Sequence, residues 1–492
     1  METIKILNGT GKTPLRNFWN HIHFHPTDAI EDAWGIEILD QVAADQVAKS
    51  VRMYAMLEDI VTMDDDGNLC YDFTLNDARL DYMIEKGFDI LLCYNFIPPC
   101  IALNKDEVNN VSVRSTRYKG KMIVTSPPRD YALWEEVCYR YTQHIVERYG
   151  EERVSQWLLQ CFNEPDIGVF WMRDKDAITE LDERLDEYMK LYRSFVSGIE
   201  KVSKNLKLGG PVRACVQEFM DKFLKRVAEE NLRLDYVTFH AYGTSPDFIN
   251  EGSCLLNHAN SLPDINGVLE LCEKHGFSHL PIVIDEWGAA SMGFYTLEKC
   301  PQLLMRDNEE YAAYFAKMIT LYSDENLPVD RIMICLSGQH DWADEEFRGS
   351  RSLFSKSGYP KPIYNAYKLS AMLKNNKLAN ENPNSDVSVL ATEDDAGNIS
   401  ILLGYASEHY DQKMPVAELK LALQNPGDYK AYIWRIDVET ANAMAAYEKY
   451  AGDRDAIMQA SRVARVELGD VRDAIDLTLH STSCILLELV KN

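Results

Sequence analysis

The sequence predicts an α/β protein: a (β/α)8 TIM barrel with a β-sandwich domain appended at its C-terminal end. Three observations carry that expectation. Eight short apolar runs lie between about residues 18 and 370, longer helical patterns separate them, and after about residue 376 the pattern changes to alternation with period two. Runs of four to eight apolar-rich residues without a polar face suit strands buried on both sides, the condition of a parallel sheet covered by helices. Eight is the number that closes such a sheet into a barrel.

In chain order the runs are FWNHIHF, SVRMYAML, FDILLCYNF, WLLQCFNEP, LKLGGPV, LDYVTFHAY, LPIVIDEWG and DRIMICLSG. The segments between them carry helix signals. Asn76 is placed to cap a helix in which Leu80, Met83 and Ile84 share a face and which stops at Gly87. Leu133, Trp134, Val137, Tyr141, Ile145 and Tyr149 form a stripe at helical spacing that ends at Gly150. Because strand and helix alternate, the sheet is expected to be parallel. KNNKLANENPNSD then reads as a polar connector. Beyond it VSVLATEDDAGNISILLGY reads as a hairpin, AELKLALQ, YKAYIWRIDV and IDLTLHSTSCILLEL as further strands, and residues 439–466 as one helical insert. The boundaries that follow are 15–375 for the barrel and 376–492 for the sandwich, with the N-terminal stretch 1–14, containing TIKILNG, offering that sandwich one more strand.

Composition narrows the function classes. A chain of 492 residues with 46% apolar content can bury one large core and a smaller one. Its 51 basic and 77 acidic side chains leave a net charge of -26, which disfavours nucleic-acid phosphates and anionic lipid and favours neutral substrates. No run approaches the ~20 apolar residues of a membrane span, and METIKILNGTGKTPLRNFW lacks the apolar core of a secretory signal. Eleven cysteines, odd in number and scattered, suit reduced thiols in a cytoplasmic protein. Neither nucleic acid nor membrane is expected as a partner, and a homo-oligomer stays open.

The chemistry enters at two strand ends. QWLLQCFNEPD pushes Glu164 out of the fourth run, and LPIVIDEWG ends the seventh with Glu286. In a barrel the loops after the strands converge on one mouth, so both glutamates should face it. A single glutamate after a strand is most often a solvated turn residue, but two on separate strands, with Asn163 ahead of the first, weaken that reading. Two carboxylates across a scissile bond are what glycoside hydrolysis requires. One must be a protonated acid and the other an ionised nucleophile, so their surroundings must differ.

At these residues the chain resembles clan A of the retaining glycoside hydrolases. Longer stretches narrow the likeness to glycoside hydrolase family 39, whose members include β-xylosidases and α-L-iduronidases. SPPRDYALWEEVCYRYTQHIVERYG with VSQWLLQCFNEPD is similar to the segment leading into the family's acid/base, LKLGGP to its fifth strand and LRLDYVTFHAYG to its sixth. GYPKPIYNAYKL resembles the run after the eighth strand, and RIDVETANAMAAYEKYAG the segment where the family's sandwich carries an insert. The resemblance covers nearly the whole chain. It implies an exo-acting retaining hydrolase, best matched to a β-D-xylosidase, acting on a glycoside or oligosaccharide without a metal or organic cofactor. The same mechanism on an α-L-arabinoside, a β-galactoside or an iduronide-like acidic sugar, and a carbohydrate-binding protein without catalysis, remain alternatives.

By that resemblance Glu164 would be the general acid/base and Glu286 the nucleophile, their carboxyl groups about 5 to 5.5 Å apart. Asn163 would donate to the sugar 2-hydroxyl, with turn formation before Pro165 as its structural alternative. His240 and Tyr242, two apart in FHAYG, point the same way along a strand, and Tyr242 could hold Glu286 ionised. His21, His23 and His25 alternate onto one face; three imidazoles can bind zinc, but a sugar-hydroxyl donor, best placed at His25, or plain packing is preferred and no metal is assigned. Arg52 matches an arginine of the family's second strand and would brace the carboxylates, or form a structural ion pair. Two positions depart from the xylosidases. Tyr54 stands where they carry a sugar-contacting histidine, and strand eight ends in Gln339, His340, Asp341 and Trp342 rather than in an aromatic-rich stretch. Gln339, Trp342 and Tyr54 are therefore expected to line the pocket and set sugar choice. The third loop adds Arg114, Arg117, Lys119 and Lys121, either a solvated face or a lid or acidic-substrate site.

Overall fold

Each of the eight apolar runs contributes a strand: β1 (His21–Phe24), β2 (Ser50–Tyr54), β3 (Asp89–Tyr94), β4 (Leu158–Cys161), β5 (Lys207–Arg213), β6 (Tyr236–Thr244), β7 (Ile282–Ala290) and β8 (Arg331–Leu336). They pair in parallel and in chain order, and β8 returns to β1 to close the barrel. The computed structural model describes residues 2–9, 11–24, 33–109, 122–173, 180–244, 261–291, 297–298, 300–336, 345–407 and 414–492.

The barrel interior is filled in layers. Leu91, Leu158, Tyr236, Val283 and Met333 make an apolar plug. Two residues further along the same strands, and so on the same inward face, come Cys93, Gln160, Thr238, Asp285 and Cys335, joined by His23, which pairs with Cys335, and by Arg52, which pairs with His23. Gly209 on β5 makes the plug possible. A Cβ there would come within 2.2 Å of the Tyr236 ring, whose hydroxyl donates to the Leu159 carbonyl at 2.8 Å.

Barrel helices lie outside this sheet. One runs Thr74–Glu85 and ends as expected, with Gly87 at φ 81° donating to Ile84. Its start differs from the sequence expectation: Asn76 lies inside the helix, and Asp72 accepts the Thr74 N–H instead. The reason is burial. Asn76 is 1% exposed, donates to the Ala55 carbonyl and accepts from the Tyr141 hydroxyl, tying the helix to the end of β2. The next helix, Tyr131–Tyr149, is capped by Asp130 and buries Trp134, Val137, Tyr141 and Ile145 on the expected stripe.

After the barrel the chain forms two further sheets. β9 (Asn376–Leu378), β10 (Val387–Glu393), β11 (Ile399–Tyr405), β12 (Ala417–Leu423), β13 (Tyr429–Ile436), β14 (Val466–Val471), β15 (Ala474–Leu479) and β16 (Ser483–Lys491) build them together with N-terminal segments. Glu2–Ile6 pairs in parallel with β12, and Thr13–Pro14 pairs with β9. The stretch read as a polar connector is thus partly strand, because Leu378 is fully buried in the core that the two sheets enclose. The stretch read as one helical insert holds two short helices, Ala443–Lys449 and Arg454–Ala460, separated where Gly452 takes φ 86° and Asp453 caps the second.

The two faces of the larger sheet bury different things. Val389, Ile401 and Leu487 face the smaller sheet, while their neighbours Leu390, Leu402 and Leu486 join the barrel core. The barrel helix Glu309–Asp324 supplies the partner surface for β10, β11 and β16.

Candidate active site

Strict alternation would let only one of Asp285 and Glu286 face the barrel interior. Between β7 and β8 the register slips: Ile284 pairs with Ile332, but Trp287 pairs with Ile334, leaving one extra residue on β7. A bulge of this kind re-aims side chains, and both carboxylates turn inward. At the end of β4 the chain takes positive φ at Phe162 (66°) and again at Glu164 (48°). Such backbone costs about 1–3 kcal/mol per residue and persists only when its surroundings hold it. Here the Glu164 N–H donates to the Val212 carbonyl at 3.0 Å, the Phe162 N–H to the Tyr94 carbonyl at 3.2 Å, and Asp166 accepts the backbone N–H groups of Ala214, Cys215 and Val216 at 2.7, 2.9 and 2.9 Å.

The result brings the two glutamates together. A carboxylate oxygen of each and a ring nitrogen of His240 all lie within 4.8 Å of one another. His240 Nδ1 bonds Glu164 Oε1 at 2.8 Å and stands 3.7 Å from Glu286 Oε2. Arg52, fully buried, donates to Glu286 Oε1 at 2.9 Å and to Asn163 Oδ1 at 2.6 Å, and its Nε lies 2.9 Å from Asp285 Oδ2. The Tyr242 hydroxyl donates to Glu286 Oε2 at 2.8 Å and accepts from Arg351 at 3.0 Å. Asp285 is anchored further by Gln160 at 2.9 Å and Thr238 at 2.5 Å.

The surroundings push the two carboxyls in opposite directions. For Glu164, burial raises the pKa above the usual carboxylate range; the His240 hydrogen bond works against this and the charge of Glu286 adds to it. For Glu286, burial also acts upward, but His240, His23 and Arg52 outweigh it and hold the carboxyl well below the usual range. His240 is the counterpart. Burial alone would lower its pKa, yet Glu286 and Asp285 push it up to about 10, so at neutral pH it is an imidazolium beside those two carboxylates. His23 goes the other way, down to about 4 through burial and the adjacent Arg52 guanidinium, and is neutral.

Of the residues expected from sequence, the structure thus brings Glu164, Glu286, Asn163, His240, Tyr242 and Arg52 into one cluster. Asn163 keeps its Nδ2 buried without a partner among the described residues. Tyr54 is 1% exposed, packed between His23 and Phe96 with Arg52 over its ring. His25, Gln339 and Trp342 lie outside the described residues, as do His340, Asp341, Arg114, Arg117, Lys119 and Lys121. The histidines of the first strand separate: His21 bonds the Ser50 hydroxyl at 2.6 Å, while His23 Nδ1 lies 3.4 Å from Glu286 Oε1. Cys335 joins His23 and Glu286 with its thiol 3.4 Å from Glu286 Oε2. A cation is already built into this position, because Arg52 contacts both His23 and Glu286. Three members of the cluster were not singled out from the sequence: Asp285, Cys335 and Arg351. Asp285 alone had a signal available, its place beside Glu286 at a strand end.

Comparison with known proteins places this geometry in context. The family model described as Glycosyl hydrolases family 39 matches residues 2–453. The chain is 26% identical over 344 residues to a beta-xylosidase of Geobacillus stearothermophilus, an alignment covering 68% of this chain and 61% of that one, so less than two thirds of that relative's length is spanned. To a beta-xylosidase of Caldicellulosiruptor saccharolyticus it is 23% identical over 402 residues, covering 77% and 74%. A crystal structure of a monomeric beta-xylosidase from Caulobacter crescentus CB15 superposes with TM-score 0.81 at 20% identity, with 100% of both chains covered.

Proposed function

The chain belongs to glycosyl hydrolases family 39, and from that premise we propose that it is an exo-acting, retaining O-glycoside hydrolase, a β-D-xylosidase, in which Glu286 is the nucleophile and Glu164 the acid/base. The observation that carries the reading is the pair itself: oxygens of the two carboxylates within 4.8 Å, with Glu164 pushed above the usual carboxylate range by burial and Glu286 pulled well below it by His240, His23 and Arg52. Retaining enzymes place their carboxyl groups about 5–5.5 Å apart, whereas inverting enzymes need about 6.5–9.5 Å for an intervening water.

In the first step the Glu286 carboxylate forms a bond to the anomeric carbon as the bond to the glycosidic oxygen breaks, and that oxygen takes the proton of Glu164. Asn163 Nδ2 donates to the sugar 2-hydroxyl, a role supported by its burial without a partner among the described residues and by Arg52, which fixes the amide through its oxygen. Once Glu286 is esterified its charge is gone, and with it one cause of the raised pKa of Glu164. Glu164 is then a carboxylate able to take a proton from the water that attacks the anomeric carbon and releases Glu286. Tyr242 and Arg52 hold the leaving carboxylate as it reforms.

One observation favours a second glycone. Arg351 lies against Tyr242 and close enough to interact electrostatically with Glu286 and Glu164. A sugar carboxylate at C5 would pair with it, as in an iduronide-like substrate. The described cysteines, ten in all, are free, which supports a reducing, cytoplasmic setting. Among the described residues no helix is long and apolar enough to cross a membrane.

Initial rates on nitrophenyl β-xyloside, α-L-arabinoside, β-galactoside, β-glucoside and α-L-iduronide test the reading. The xyloside is expected to lead; an iduronide in first place transfers the assignment to the acidic glycone. Glu286→Gln should lower turnover by on the order of 10⁴-fold or more. Glu164→Gln should cost about 10²–10⁴-fold on alkyl glycosides and far less on nitrophenyl ones, whose leaving groups need little protonation. Equal losses on both would remove Glu164 from the acid role.

A further inference from the structure

We propose that the leaving-group side of this site is an apolar groove that takes a non-sugar, aliphatic or aryl aglycone; the inference rests on the hydrolase reading above. In a double displacement the leaving group departs on the side of the acid, opposite the attacking nucleophile. That is the β4 sector of the mouth, three strands around the barrel from β7. A cavity of about 710 Å³ lies there, within the ~300–1,000 Å³ of pockets for small organic ligands. Its walls all come from chain following the carboxyl ends of neighbouring strands. Asn109 follows β3, the stretch Asp166–Val169 with Arg173, Glu180, Leu181 and Arg184 follows β4, and Val216 follows β5. The β4 wall begins two residues after Glu164 and is rigidly joined to it, because Asp166 is locked onto three backbone amides of the loop that ends in Val216.

The chemistry of these walls distinguishes an apolar occupant from a second sugar. Ile167, Val169, Leu181 and Val216 present branched aliphatic surface, and Val169 is 38% exposed, a large apolar side chain facing solvent beside a catalytic mouth. No aromatic ring is among the described lining residues. Most of the polar groups are committed elsewhere: Asp166 to its amides, Asn109 to the Val169 carbonyl at 2.8 Å, Arg184 to the Trp171 carbonyl at 3.1 Å and Arg173 to the Val108 carbonyl. A pyranose would set its hydroxyls against the aliphatic part of this wall, a desolvation cost that a hydrocarbon does not meet.

Methyl, butyl and octyl glycosides of the sugar preferred in the nitrophenyl panel provide the test, since their leaving alcohols differ in length and hardly in acidity. The expected result is kcat/KM rising at least tenfold from methyl to octyl, with the octyl glycoside also ahead of the corresponding disaccharide. Val169→Asp should then reduce the octyl-to-methyl ratio at least threefold. Equal rates for methyl and octyl, a disaccharide that outruns the octyl glycoside, or an unchanged ratio in the variant would each overturn the groove assignment while leaving the hydrolase reading intact. Silence on every nitrophenyl and alkyl glycoside would remove the hydrolase reading, and the aglycone site with it.

Discussion

Glu286 shows how much of this site is decided by individual atoms. Its Oε1 faces Arg52 and His23, while Oε2 faces Tyr242, Cys335 and His240. Burial pushes the Cys335 thiol up to about 12, so it stays an S–H donor to Oε2 throughout the working range. Removing that donor should weaken the ionised form. Cys335→Ala is expected to raise the acidic limb of the kcat/KM profile by roughly half a unit to one unit, the worth of one hydrogen bond, and Cys335→Ser should largely restore it. An unmoved limb in the alanine variant would show that the thiol does not donate. At this scale the glutamates, Asn163, His240 and Tyr242 were legible because strand ends converge and two-residue spacing keeps a face. The contacts of Cys335 and His23 with Glu286 were not, since Cys335 reaches it through the slipped pairing of β7 with β8 and His23 from across the β8–β1 closure of the barrel.

At the scale of elements, the same device that makes the site hides it from periodicity. The extra residue on β7 and the positive φ at Phe162 and Glu164 break alternation where the chemistry sits. Elsewhere alternation misleads for a different reason. β11 is buried along its whole length, because one face meets the smaller sheet and the other meets the barrel helix Glu309–Asp324. Leu402 is fully buried on the barrel side. Leu402→Ala should therefore destabilise the protein by about 2–5 kcal/mol, the cost of a core cavity, read as a lowered denaturation midpoint. A midpoint within the spread of surface substitutions would mean that the two parts do not share this core. Asn76 teaches the same lesson on a helix: a residue type that favours caps was taken instead to satisfy the Ala55 carbonyl and Tyr141 hydroxyl in the interior.

For the molecule as a whole, three buried histidines tie stability to pH. An unfolded histidine titrates near 6.5. His21, lowered to about 3 by burial and by Arg331 and Lys49, and His23, lowered to about 4, must stay neutral in the fold, so the unfolded chain binds more protons as pH falls below 6.5 and stability drops. His240, raised to about 10, stays charged in the fold. Its contribution is complete below 6.5 and is lost as pH rises from there through about 10. Thermal midpoints should thus peak near pH 6.5, and His21→Asn, which lies outside the catalytic cluster, should flatten the decline between pH 6.5 and 3. A variant whose acid-side slope matched the parent's would exclude His21 as a source of it.

What the amino-acid sequence determined by itself is whatever depends on local spacing. Eight apolar runs with helices between them specify the parallel closed barrel, and the strand ends that carry Glu164 and Glu286 specify which end of it the two carboxyls share. Only the tertiary structure decided which neighbours surround those carboxyls, and that is what pushes their pKa values in opposite directions. Arg52, Asp285 and His240 arrive from three different strands, and their charges act over a few ångströms in the buried interior of the barrel. No one-dimensional pattern records such distances, because they are fixed by barrel closure, by a one-residue slip in register and by two residues of left-handed backbone.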